Sequence, residues 1–164
     1  MSYVLFARID MEALYPPFMD RLGALVAEAQ ALGDNYWAVS GTRTYAEQEK
    51  LYAQGRASPG PKVTNARGGE SAHNFGLACD FCRDGVVERA GLQPDYRPES
   101  YARLGELAKK HGLVWGGAWA MKDYPHVQWG GRVTATHLEP LRKAYELGGL
   151  KAVWEFLDKE AIGG

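Results

Sequence analysis

Cysteine is scarce in this chain of 164 residues: Cys79 and Cys82 are the only two. A Cys-x-x-Cys spacing can mark a redox pair or half of a zinc knuckle. There is no second pair to complete a four-thiolate site within the chain. The flanking residues read as extended, and three strand steps span about 10 Å, too far for an unstrained disulfide. Both are therefore read as reduced, mostly buried thiols. Net charge is small as well, −1 from 19 Lys+Arg and 20 Asp+Glu. No basic run is present, so no nucleic-acid partner is expected. No apolar run is long enough to cross a bilayer, and no membrane insertion is expected. The N-terminal MSYVLFARIDMEAL lacks the basic start and long apolar core of a signal peptide, so synthesis in the cytoplasm is expected. Repeats, low-complexity tracts and linkers are also missing. With 46% hydrophobic and 24% charged residues, the composition excludes disorder and fits one globular domain over residues 1–164.

The pattern of elements is mixed. Phe18, Leu22, Leu25, Val26, Ala29 and Leu32 recur at helical spacing between a Pro16–Pro17 start and a stop at Gly33. Tyr36 to Gly41 is aromatic and β-branched and reads as a strand. Thr44 and Glu47 form a capping box for a helix that ends near Gln54. Arg56 to Gly69 reads as a long loop, of the kind that is often functional. The run from Ala78 reads as a strand, with a hairpin turn at Arg83-Asp84-Gly85 and a return strand from Val86 and Val87. A helix is expected over Glu99 to Lys110, a strand over Leu113 to Trp119 and a short strand over His126 to Trp129. Thr136 and Glu139 form another capping box, opening a helix that Gly148 and Gly149 break before a last helix. The order predicts an α+β fold, a small antiparallel sheet carrying helices.

The stretch SAHNFGLACDF, Ser71 to Phe81, holds the chemistry. His73 precedes a flexible Gly76, and Asp80 sits in an apolar strand where a buried carboxylate needs a partner. His126 follows a rigid Tyr124-Pro125 and can point back from a neighbouring strand. Two imidazoles and a carboxylate match a catalytic zinc site, which takes three protein ligands and keeps one position open. Asp123 is placed to act as a base beside such a metal; a turn-starting Asp before Pro125 is an equally available reading. Arg43, between a strand and a helix, could hold a substrate carboxylate or a developing oxyanion, or could simply pair with Glu47. Gln48 and Ser71 could face the same site. Trp115, Trp119 and Trp129 could line a groove, or belong to the core. His111 suits a helix C-terminus, and His137 has no evident partner.

Ser71-x-His73-x-x-Gly76-x-Ala78-x-Asp80 followed by Asp123-x-x-His126 resembles the paired motifs of zinc peptidases that act on peptidoglycan stem peptides. These are the D-Ala-D-Ala carboxypeptidases, dipeptidases and L-alanyl-D-glutamate endopeptidases. SGTRTYAEQEKLYAQGR and VTNARGGESAHNFGLA are most similar to the endopeptidase branch, which includes phage endolysins. The resemblance covers about Val39 to Trp129, and paired motifs in order are far more specific than one short motif. It implies a D,D-peptidase-like fold with one Zn2+ per chain at the sheet, bound by His73, Asp80 and His126. It further implies Asp123 as general base and Arg43 at the oxyanion or anchoring substrate, with Ser71 and Gln48 in support; from its place near His126, Trp115 is expected to join them in substrate binding. The implied activity is hydrolysis of the L-Ala–D-Glu amide of the stem peptide by a monomer acting at the cell wall. A D,D-carboxypeptidase or dipeptidase of the same group, or a non-catalytic zinc-containing module, stays open beside it. Cys79 and Gln128 depart from the expected pattern; an acidic residue often stands where Gln128 is.

Overall fold

The computed structural model describes residues 3–84, 94–95, 97–131 and 138–163. Helix α1, Pro16–Ala31, starts on proline and buries Phe18, Leu22, Leu25, Val26 and Ala29 along one face. That face packs on the sheet and on the later helix α3, Ala102–Lys110. Gly33, at φ 91°, turns the chain from α1 into strand β1, Tyr36–Ser40. The Thr44 capping box is present in full and opens α2, Tyr45–Ala53.

Strand β2, Ala78–Asp84, is the centre of an antiparallel sheet with β5, His126–Trp129, on one side and β1 on the other. Strand β4, Leu113–Trp115, pairs with the far side of β5, and a two-residue strand β3, Pro94–Asp95, pairs with the end of β2. All pairings within the sheet among the described residues are antiparallel, as the α+β reading expects. Arg83 and Asp84 do not turn; they remain in β2, opposite Tyr36 and Pro94. Arg83 is held there by the carboxylate of Asp34 at 2.9 Å. Val86 and Val87 lie outside the described residues, as do Thr136 and His137.

Register decides what faces where. Asp80 is opposite His126, and Ala78 and Val114 are opposite Gln128. With side chains alternating across a strand, Ala78, Asp80, His126, Gln128 and Val114 share one face. Cys79, Phe81, Val127, Trp129, Leu113 and Trp115 share the other. The second face covers the core, where Phe81, Cys79 and Val127 are fully buried. Each fully buried Leu or Phe contributes about 1.5–3 kcal/mol there. Cys79 and Cys82 are free thiols, and burial raises the Cys79 pKa well above its ordinary value.

Two expected elements are shorter than the sequence pattern. The helix expected from Glu99 begins with a 3-10 turn, Pro98–Tyr101, before α3. The strand expected over Leu113 to Trp119 stops at Trp115 and tightens into a 3-10 turn at Gly116–Ala118. Gly116 forces that stop, because its carbonyl accepts from both Trp119 N and Asp123 N. Helix α4, Glu139–Gly163, carries non-helical backbone at Gly148 and Gly149, so it is two helical segments around the expected break.

Candidate metal centre

His73 is carried on a 3-10 turn, Ala72–Phe75, and each end of that turn has a structural cause. Ser71 caps its start, its hydroxyl accepting from His73 N at 3.2 Å. Gly76 ends it in the left-handed region at φ 72°. The loop between β1 and α2 is fastened onto the turn from the other side. His73 Nδ1–H donates to Gly41 O at 2.7 Å, Arg43 N donates to His73 O at 2.9 Å, and Asn74 Nδ2 donates to Arg43 O at 3.0 Å. Helix α4 braces the turn from behind. Trp154 Nε1 donates to Phe75 O at 3.0 Å and Arg142 donates to Gly69 O at 3.1 Å. The C-terminal helices therefore support the site turn as well as closing the core.

A carbonyl can only accept, so the Gly41 contact keeps a proton on His73 Nδ1 and makes Nε2 the nitrogen that faces Asp80. His126 is set the opposite way. Its Nε2–H donates to Gln128 Oε1 at 2.8 Å, and its Nδ1 faces Asp80. Asp80 receives both rings: Oδ2 is 3.3 Å from His73 Nε2, and Oδ1 is 3.1 Å from His126 Nδ1. These ligand atoms lie within 4.8 Å of one another. Burial would raise the Asp80 pKa, but the charge and hydrogen bonds of the two imidazoles outweigh it and keep the carboxyl ionised far below its usual range. Burial likewise opposes charge on His126, and its bond to Asp80 raises its pKa instead. A convergent pair of imidazole nitrogens with an ionised carboxylate is a donor set that fits a tetrahedral divalent cation with one position left open.

The cleft over these groups has a volume of about 450 Å³. Asp123 stands at its edge, half-exposed, with Oδ2 3.9 Å from His126 Nδ1. Burial raises its pKa above the ordinary carboxylate value, Asp80 adds to this, and the cationic neighbours oppose it. Arg43 also lines the cleft. Its Nη2 donates to Asp80 Oδ2 at 3.0 Å and Ser40 Oγ at 3.2 Å, and its Nη1 to Gln48 Oε1 at 3.3 Å. The expected alternative, a surface pair with Glu47, is not formed; Glu47 is used by the Thr44 cap.

The other expected residues divide. Ser71 lines the cleft. Gln48 is fully buried behind it, joining Arg43 to the loop by donating to Ala66 O at 3.0 Å. Trp115 is on the opposite face of the sheet and lines a neighbouring cavity. Trp129, partly buried, packs against the core, its ring 5.3 Å from that of Tyr15. Trp119 is the tryptophan at the metal centre, its ring 5.0 Å from that of His126. The sequence carried no signal separating these three indoles; the register of β4 with β5 puts Trp115 and Trp129 on the face away from Asp80 and His126, and the 3-10 turn after β4 carries Trp119 back to His126. His111 pairs with Glu28 of α1 at 2.8 Å.

The sequence model of the D-alanyl-D-alanine carboxypeptidase family matches residues 64–129. The chain is 41% identical over 123 residues to the peptidoglycan L-alanyl-D-glutamate endopeptidase CwlK of Bacillus subtilis, covering 70% of this chain and 72% of the relative. Among solved structures it resembles the L-Ala D-Glu endopeptidase ChiX of Serratia marcescens, with a TM-score of 0.55 and 19% identity over 76% of this chain and 87% of that one. It also resembles the D,D-pentapeptidase VanY, solved in complex with Zn(II), with a TM-score of 0.52 and 22% identity over 83% of this chain and 80% of that one. At such identities these two likenesses speak to fold. It is the identity to CwlK, sustained over most of both chains, that makes this protein a member of the D-alanyl-D-alanine carboxypeptidase family of metallopeptidases.

Proposed function

We infer that the protein is a zinc-dependent peptidoglycan endopeptidase that hydrolyses the L-Ala–D-Glu amide of the stem peptide. The observation that carries this is the convergence of His73 Nε2, the Asp80 carboxylate and His126 Nδ1 within 4.8 Å, with the Asp123 carboxylate beside them. The specificity rests on the likeness to an L-alanyl-D-glutamate endopeptidase. Bound Zn2+ would supply Lewis acidity and make water a nucleophile near neutral pH.

The chain's own residues do the rest. Asp123, not engaged by Arg43, accepts the proton of the attacking water and returns it to the departing amine of D-Glu. A raised pKa suits both halves of that task, because the carboxylate is a better base and its conjugate acid remains a competent donor. Arg43 is held rigid by Asp80, Ser40 and Gln48 and presents fixed positive charge where the carbonyl oxygen gains negative charge. Gln48 acts through Arg43, and Ser71 acts at the cleft wall.

The family's own description favours a second reading, removal of terminal D-Ala. Incubating a defined muropeptide and identifying the products separates the two. A new L-Ala carboxyl and a new D-Glu amino group support the endopeptidase; free D-Ala as the product overturns it. A third reading, a metal-holding module without catalysis, is excluded by any turnover that Asp123→Ala abolishes.

A further inference from the structure

Beside the cleft, around the outer edge of β4, lies a second cavity of about 530 Å³, a size typical of small-ligand sites. Val114 and Trp119 line both spaces, so the two are neighbours that share a wall at these residues. Trp119 leans on His126 and remains 36% exposed. The apolar surface of this trough comes from Leu113 and the edge of Trp115, which is packed so closely on Gly105 and Gly117 that neither could carry a Cβ. Exposed Glu106 and Lys109 of α3 stand at its rim.

We propose that this trough is a saccharide subsite and holds the N-acetylmuramic acid to which the stem peptide is attached. The inference rests on the endopeptidase reading above. L-Ala is the first residue of the stem, so its scissile carbonyl is separated from the sugar ring only by itself and a lactyl group. That is about two residue lengths, or 7 Å of extended chain. An enzyme cutting there must place a sugar beside its metal centre; one cutting at the far end of the peptide need not. The trough has the chemistry for it. Indoles present apolar surface to the C–H face of a pyranose ring. The carboxylate of Glu106 accepts from hydroxyls or the acetamide N–H, and the ammonium of Lys109 donates to their oxygens. The two charges oppose each other, which suits a neutral polar ring better than an ionic ligand.

The test compares N-acetylmuramyl-L-alanine with N-acetyl-L-alanine by calorimetric titration of the zinc-loaded protein; neither ligand has a scissile L-Ala–D-Glu bond. The muramyl ligand binds about tenfold more tightly, the order expected of one good aromatic contact. Ala102→Phe, an exposed position on α3 that projects bulk into the trough, and Glu106→Ala each bring that ratio toward one while their melting curves stay cooperative. Equal affinity of the wild type for both ligands overturns the subsite, as does an unchanged ratio in both variants. Cleavage of N-acetylmuramyl-L-Ala-D-Glu is followed separately. If the muramyl preference is present and no cleavage occurs, the subsite stands and the endopeptidase reading falls.

Discussion

His73 and His126 meet the same carboxylate through different ring nitrogens, and each choice is made by the partner of the other nitrogen. For His73 that partner is a backbone carbonyl, which no side-chain substitution removes. For His126 it is Gln128, a neutral acceptor. Gln128→Leu therefore removes the group that keeps the proton on Nε2, and zinc affinity is expected to fall about 10- to 100-fold, measured by competition with a chromogenic chelator. Asp123→Asn keeps the shape of the cleft and removes the proposed base. Its kcat is expected to fall by about 10²–10⁴ with metal content unchanged, measured on the same muropeptide. Arg43 shows what sequence cannot report. Its identity and place before a capping box were readable, but its partner Asp80 is 37 residues away. Local sequence offered Glu47 instead, and Glu47 is engaged in the cap.

At the scale of elements, the turn bearing His73 depends on one left-handed residue. A Cβ at Gly76 would meet Ala13 O at 2.7 Å and the Trp154 ring at 3.0 Å, in a conformation that side chains rarely adopt. Gly76→Ala is expected to lower stability by about 1–3 kcal/mol, read from urea unfolding, with weaker metal binding as the turn shifts. Elements with a strong local signal were legible. The period of α1, the Thr44 capping box, the Pro125-led strand and the break at Gly148 and Gly149 all stand where the residues put them. Where long-range pairing decided, local reading failed. Arg83-Asp84 reads as a turn by composition, yet Asp34 and β3 hold it extended. Trp115 reads as close to His126 along the chain, yet it lies opposite Val127 and so faces the other side of the sheet.

Across the whole molecule, charge clusters tie the ends of elements together away from the cleft. Asp95 accepts from Arg97 at 2.6 Å and from Ser100 at 2.6 Å. These bonds hold its pKa well below the ordinary carboxylate value, the Arg97 bond contributing most. A depressed folded pKa means stability that is present above the unfolded value and lost as pH falls through the folded one. The melting temperature of Asp95→Asn is expected to lie below that of the wild type at neutral pH, and the gap to close progressively below about pH 4. A gap that widens on acidification would contradict the assignment. Metal adds a second contribution at this scale. Three groups from the 3-10 turn, β2 and β5 converge, so free zinc at about 100 times its dissociation constant should stabilise the fold by about 2.7 kcal/mol. Chelation should lower the melting temperature accordingly.

The metal centre itself is tested most directly by zinc content per chain after dialysis, determined by elemental analysis for wild type, His73→Ala and Asp123→Asn. One zinc is predicted in the wild type and in Asp123→Asn, and none in His73→Ala. Full zinc retention by His73→Ala, or its loss in Asp123→Asn, would contradict the division between ligands and base.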